Sequence, residues 1–190
     1  MTSLPSSDSI RRERATRNLH EYTRQAWHVV EPVTPFVDNW HVGAICEHLQ
    51  ALLARQIRNL VICEPPGRMK SLCVSVMFPT WAWIDPWWHL DAAARAALPE
   101  AQRETFRFRG PHTRMLYAAW HQDLATRDSV RSRRLIDSSW YQERWGSHFR
   151  LTTDQNEKRR YENDKTGYRI ATTVSGGTGE RGDIVAVDDP

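Results

Sequence analysis

Residues 60–71 of the chain, LVICEPPGRMKS, set an uninterrupted apolar run, a Pro-Pro-Gly turn and a Lys-Ser pair in immediate succession. Leu60-Val61-Ile62-Cys63 has the pattern of a strand buried on both faces, as in a parallel sheet. Pro65, Pro66 and Gly67 must turn the chain. From Lys70 to about Trp83 the residues read as a helix, with a kink expected at Pro79. Strand, tight loop, Lys-Ser and helix together form the context of a phosphate-binding loop. Backbone N–H groups and the helix N-terminus would face the phosphates, with Lys70 on their oxygens and the Ser71 hydroxyl on Mg2+. The loop departs from GxxxxGK[ST], because Glu64 and Met69 occupy its two glycine positions. Taken alone it reads equally well as a chance Lys-Ser at a helix start.

The rest of the chain narrows the choice. Residues 183–189 (DIVAVDD) form a short apolar strand that ends in two acids. A phosphate-binding loop of this kind needs such a strand beside it, with an acid at its C-terminal end to hold Mg2+ through water. Asp188 takes that position. Asp189 stands where many ATPases carry Glu, to polarise the attacking water. By itself the pair reads as capping aspartates at a surface strand end; coupled to the loop it does not.

Other segments fill out a layered α/β domain. Residues 1–10 are expected to be disordered. From Arg11, Ala15, Leu19, Tyr22 and Ala26 recur on one face of a basic helix, so residues 1–30 read as an N-terminal helical extension. Residues 31–39, with two prolines, read as an extended connector. Helices are expected over about 40–56, within 91–110, and over 123–137, 139–145 and 154–163. Strands are expected over 115–120, 168–174 and 184–187, with a glycine-rich turn at 175–182.

Composition excludes several classes. Of the 190 residues, 40% are hydrophobic and 26% charged, which argues against wholesale disorder. No apolar run approaches the ~20 residues of a membrane helix, so no membrane partner is expected. Cys46, Cys63 and Cys73 form no CxxC pair and fit a reduced, cytosolic setting. The net charge of +3 permits nucleic-acid contact without demanding it.

The two motifs and the spacing between them resemble the ATPase domain of the large terminase subunit of tailed bacteriophages. The likeness covers about residues 30–190. It includes Phe36, Asn39-Trp40-His41, Leu49-Gln50, PPGRMKS, Phe78-Pro79-Thr80-Trp81, Arg134-Leu135-Ile136, Trp140-Tyr141-Gln142, Trp145-Gly146, Asp154-Gln155-Asn156 and Asp188-Asp189-Pro190. The resemblance implies a P-loop NTPase of the additional-strand ATPase class, with a mainly parallel sheet flanked by helices. It implies ATP and Mg2+ as cofactors. The implied partners are double-stranded DNA, the portal protein and the small terminase subunit, with subunits in a ring on the portal in the host bacterial cytoplasm.

For the site, the resemblance implies Lys70, Asp188 and Asp189 as catalytic residues and Ser71 with Asp188 as Mg2+ ligands. Pro66, Gly67, Arg68, Met69, Lys70 and Ser71 would hold the phosphates. Trp40 and His41 would lie at the adenine end, although core packing explains Trp40 as well. Arg127, Arg131 and Arg134 are candidates for an arginine finger acting on a neighbouring subunit; solvated helix arginines are the plainer alternative. The family's nuclease domain has no counterpart here, so a partial ATPase domain over 31–190, its sheet incomplete at the C-terminus, is expected. A helicase-like ATPase and a remnant that binds nucleotide or DNA without turnover are the competing readings.

Overall fold

The computed structural model describes residues 6–176 and 179–188. Its N-terminal segment is two helices, α1 (Ser7–Arg17) and α2 (Leu19–Val30), rather than one. Asn18 separates them with extended backbone. Its N–H donates to the Arg14 carbonyl, and its side-chain oxygen accepts the Glu21 N–H at 2.8 Å. One residue thus ends one helix and caps the next. The expected disorder does not hold for residues 6–10: the Ser6 hydroxyl accepts the Ser9 N–H and Asp8 lies in the first turn, both favouring a helix start.

These helices share the main core. Ala15, Leu19, Tyr22, Ala26 and Trp27 are buried in one cluster with Trp81, Trp83, Tyr141 and Trp145. Trp81 donates its indole N–H to the Ala15 carbonyl at 2.9 Å, and Trp145 donates to the Thr16 hydroxyl at 2.9 Å. Buried Arg109 stacks on Trp81 at 3.6 Å. A connector that bends at residues 32–34 then leads to α3 (Trp40–Leu53), whose buried residues Val42, Ile45, Cys46, Leu49 and Leu53 follow the helical period.

Residues 60–63 depart from expectation. They run extended but pair with no described strand. Leu60 and Ile62 pack against the core, whereas Val61 is 85% exposed. Alternation in an extended segment points neighbouring side chains to opposite sides, and here only one side is covered. The segment is therefore not a strand buried on both faces.

The helix that follows starts at Lys70, passes through a π-helical turn (Leu72–Met77) and ends as α4 (Phe78–Ala82). No sharp break is needed at Pro79. Proline has no N–H to give the Ser75 carbonyl, its α-helical partner. Arg169 supplies a donor instead, with Nη2 at 3.0 Å from that carbonyl and its guanidinium 4.4 Å from the Tyr117 ring. A wide helical turn beside proline is a known way to re-aim freed carbonyls.

Residues 91–110 hold two helices, α5 (Ala92–Ala96) and α6 (Glu100–Phe108), with Pro99 preceding the second. Next come β1 (Met115–Ala119), α7 (Gln122–Asp137) and α8 (Ser139–Trp145), close to their expected bounds. The stretch expected as a helix over 154–163 is a hairpin instead, β2 (Leu151–Asn156) and β3 (Arg160–Asn163). Its polarity suits a sheet edge, and alternate burial of Tyr161 and Asn163 gives it an inner face. Tyr161 meets Trp83 edge-on at 5.6 Å, a contact that local sequence does not signal. The chain closes with β4 (Tyr168–Thr173) and β5 (Ile184–Asp188).

Among the described residues these strands form one mixed sheet in the order β2-β3-β4-β1-β5. β1 is parallel to both β4 and β5, while β3 is antiparallel to β2 and β4. The molecule is thus α/β, and α7 packs on β1 and β4. Ala119, Thr173 and Asp188 align at one sheet edge. In open parallel sheets that C-terminal edge is where ligands bind.

Two predictions test this packing. In the β3–β4 turn, a Cβ on Gly167 would lie 2.0 Å from the Pro111 carbonyl oxygen. Gly167→Ala should therefore destabilise the protein by about 1–3 kcal/mol in chemical denaturation. His148 stacks on Trp88 at 5.2 Å, and burial, reinforced by Arg12 and opposed by Asp85, pushes its pKa from 6.5 down to about 4. Between those values the unfolded chain takes up a proton that the folded chain refuses, so stability falls as pH drops from 6.5 toward 4. The matching slope in a denaturation series should be absent from His148→Phe.

Candidate functional site

The loop 64–71 emerges from the unpaired extended segment and enters the helix at Lys70. Gly67 has φ +80°, a left-handed conformation that glycine adopts without penalty. Met69 has φ +66°. A methionine thus holds a backbone conformation that favours glycine, at a cost of roughly 1–2 kcal/mol. Packing of the Met69 side chain against the core offsets part of that strain.

Lys70 and Ser71 converge on Asp188 from across the chain. The Lys70 ammonium lies 3.1 Å from Asp188 Oδ1, and the Ser71 hydroxyl donates to Oδ2 at 2.7 Å. Both Lys70 and Asp188 are partly buried, so the charge pair is only partly screened by water. Asp188 reaches this position because β5 ends there in register with β1.

Two cavities meet at this point. One, about 770 Å3, is lined by residues 64–72, by Trp27, Glu31, Thr34, Pro35 and Val37, and by Arg127 of α7. The connector is held as its outer wall. The Trp27 indole N–H donates to the Thr34 carbonyl at 2.6 Å, and Phe36 packs on the Trp27 ring at 5.4 Å. Arg131 bonds the Glu31 carboxylate. The other cavity, about 390 Å3, lies between residues 59–62 and β5 and reaches Lys70 and Asp188.

Several expected site residues are brought together and others are not. Pro66, Gly67, Arg68, Met69, Lys70 and Ser71 all line the larger cleft, and Asp188 closes on Lys70 and Ser71. Asp189 lies outside the described residues. Trp40 is 80% exposed at the start of α3, edge-on to His41, and neither is among the residues lining the cleft. Arg134 is exposed and is not among them either. Arg131 is engaged with Glu31, leaving Arg127 as the α7 arginine on the cleft wall.

Sequence reasoning missed the wall formed by Trp27, Glu31, Thr34, Pro35 and Val37. It also missed the buried Asp128, whose carboxylate accepts the Arg127 Nε–H at 2.9 Å. A signal for Asp128 was present: it shares the buried face of α7 with Ala125, Ser129 and Ser132, where an acid is out of place.

The Mg2+ expectation can be examined through the donor set. Among the described residues no cluster of three or more His, Cys, Asp or Glu side chains could hold a metal. Mg2+ bound with a nucleotide usually takes only one or two protein oxygens, the rest coming from phosphate and water. The Ser71 hydroxyl and the Asp188 carboxylate are two such hard oxygens in direct contact, so they fit. Among the described residues no helix is long and apolar enough to cross a membrane. No family model, curated protein or solved structure matches the chain.

The left-handed backbone at residue 69 makes a direct prediction. Met69→Gly should be more stable than Met69→Ala by about 1–2 kcal/mol, the reverse of the order inside an ordinary helix. Paired denaturation curves of the two variants check this.

Proposed function

We propose that the chain is the nucleotide-hydrolysing part of a phage DNA-packaging motor, an ATPase domain of the terminase large-subunit kind. The observation that carries the nucleotide reading is the meeting of Lys70 and Ser71, at the head of a helix, with Asp188, 117 residues from Ser71. They meet beside a cleft walled by a glycine-turn loop. The motor assignment rests on the sequence resemblance. The same holds for double-stranded DNA, the portal protein and the small terminase subunit as partners, for a ring on the portal, and for a site of action in the host cytoplasm.

In this reading ATP enters the larger cleft with its phosphates on the loop. The Lys70 ammonium leaves Asp188 for the β- and γ-phosphate oxygens. The Ser71 hydroxyl and the Asp188 carboxylate are the residues that would hold Mg2+, which would supply charge neutralisation at the phosphates. By the resemblance, the Asp189 carboxylate would orient water for in-line attack on the γ-phosphate. Lys70 stabilises the charge that develops on the transferring group and the leaving oxygen.

A second reading is nucleotide binding without turnover. The loop's lead-in, residues 60–63, stands outside the sheet, so the loop is less firmly placed than a strand would make it. Measuring nucleotide affinity and phosphate release separately on the same chain decides between the two. On the hydrolytic reading, Lys70→Ala and Asp188→Asn each lower ATP turnover by about 10²–10³-fold or more, with far-ultraviolet circular dichroism unchanged. Parental turnover in Lys70→Ala would overturn it, and tight binding with no turnover in the parent chain supports the second reading.

A further inference from the structure

We infer that Arg127 binds the terminal phosphate of the nucleotide held by its own chain, and so reads triphosphate against diphosphate. The inference rests on the nucleotide reading of the cleft. It assigns to Arg127 a role within one subunit, in place of a finger reaching into a neighbour.

The topology brings Arg127 there. β1 ends at Ala119, at the same sheet edge as Asp188, and α7 starts three residues later at Gln122. From the second turn of α7, Arg127 lines the cleft with residues 64–72. Asp128, which accepts its Nε–H, lines a small cavity together with Asp188, the carboxylate that Lys70 and Ser71 grip. A group near both the loop and Asp188 is on the side of the cleft where the outer phosphates would lie.

The guanidinium is oriented in advance. Asp128, whose side chain is 6% exposed, accepts the Nε–H at 2.9 Å. A buried carboxylate has little room to move, so this bond restrains a side chain that is otherwise half in solvent. This contact uses Nε and leaves both Nη groups, which have no hydrogen-bond partner among the described residues. Two Nη groups in a rigid fork match phosphate oxygens. The neighbouring arginines differ: Arg131 is tied to Glu31 and reaches the Val30 carbonyl, and Arg134 faces solvent.

Charge completes the argument. Lys70 pairs with Asp188 and Arg127 with Asp128. Glu31, also on the wall, is balanced by Arg131. Arg68 and Glu64 are the other charged residues lining the cleft. An incoming triphosphate can take Lys70 and the Nη groups of Arg127 together. A diphosphate, one phosphate shorter, loses the second contact.

Calorimetric titration of the full chain with ATPγS and with ADP tests this. Arg127→Ala should weaken ATPγS by about 10–100-fold, the worth of a charge-assisted contact, with ADP affinity within about two-fold of the parent. Asp128→Asn, which keeps the arginine but loosens its anchor, should give an intermediate loss for ATPγS alone. Equal weakening of both nucleotides, or parental ATPγS affinity in Arg127→Ala, overturns the inference. If Lys70→Ala loses both nucleotides while Arg127→Ala keeps both, the nucleotide reading stands and this inference fails. If the parent binds neither nucleotide, both fail. An equimolar mixture of Arg127→Ala and Lys70→Ala chains separates own-chain from neighbour action. Sites of parental ATPγS affinity should not reappear; their return would show that Arg127 serves a neighbouring subunit.

Discussion

One carboxylate, that of Asp188, joins the two parts of the molecule on which any nucleotide chemistry depends. Among the described residues no sheet strand leads into the loop, so backbone pairing does not anchor it on that side. The ammonium of Lys70 and the hydroxyl of Ser71 do so instead, by closing on the end of β5. Charge-assisted hydrogen bonds are the stronger kind, and partial burial limits their screening. Lys70 and Asp188 thereby offset each other's charge. On the nucleotide reading, phosphate binding exchanges these contacts for its own and rearranges Lys70, Ser71 and Asp188.

Much of the fold could be read in advance where local chemistry and tertiary packing agree. β1 and β4 are apolar or β-branched runs that the sheet largely buries, β5 buries Ile184 while Val185 and Val187 stay exposed, and α7 and α8 carry their own helical periods. Local reading failed where packing decided. The hairpin β2–β3 is polar enough to pass for a helix, and its strand character comes from Tyr161 and Asn163 turning inward. Asn18 breaks a continuous periodicity because its side chain caps one helix while its N–H ends another. Residues 60–63 had the composition of a buried strand, but only Leu60 and Ile62 found a surface to cover.

The candidate site divides the same way. Lys70, Ser71 and Asp188 were legible because their chemistry depends on residue type beside a turn or at a strand end. Met69 was legible as a departure from pattern, yet its backbone keeps the glycine geometry. Trp40 and His41 were plausible for a base-stacking role from their place in the chain, but they start a helix away from the cleft. That Arg127 faces inward, Arg131 is tied to Glu31 and Arg134 faces outward depends on the rotation of α7 against the sheet. No spacing rule alone could supply it.

The wide turn at Leu72–Met77 has a mechanical meaning. A regular helix behind a phosphate loop is a stiff rod that transmits displacement along its axis. Here a turn of different pitch interrupts the rod, and its freed Ser75 carbonyl is held by Arg169, a residue of the central strand β4. The setting of the loop is therefore referred to the middle of the sheet as well as to its edge. Lys70 and Ser71 cannot shift along the helix axis without either changing the pitch of that turn or pulling on Arg169. The helix behind the loop is thus geared to the middle of the sheet through the buried guanidinium of Arg169, as the loop is to its edge through Asp188.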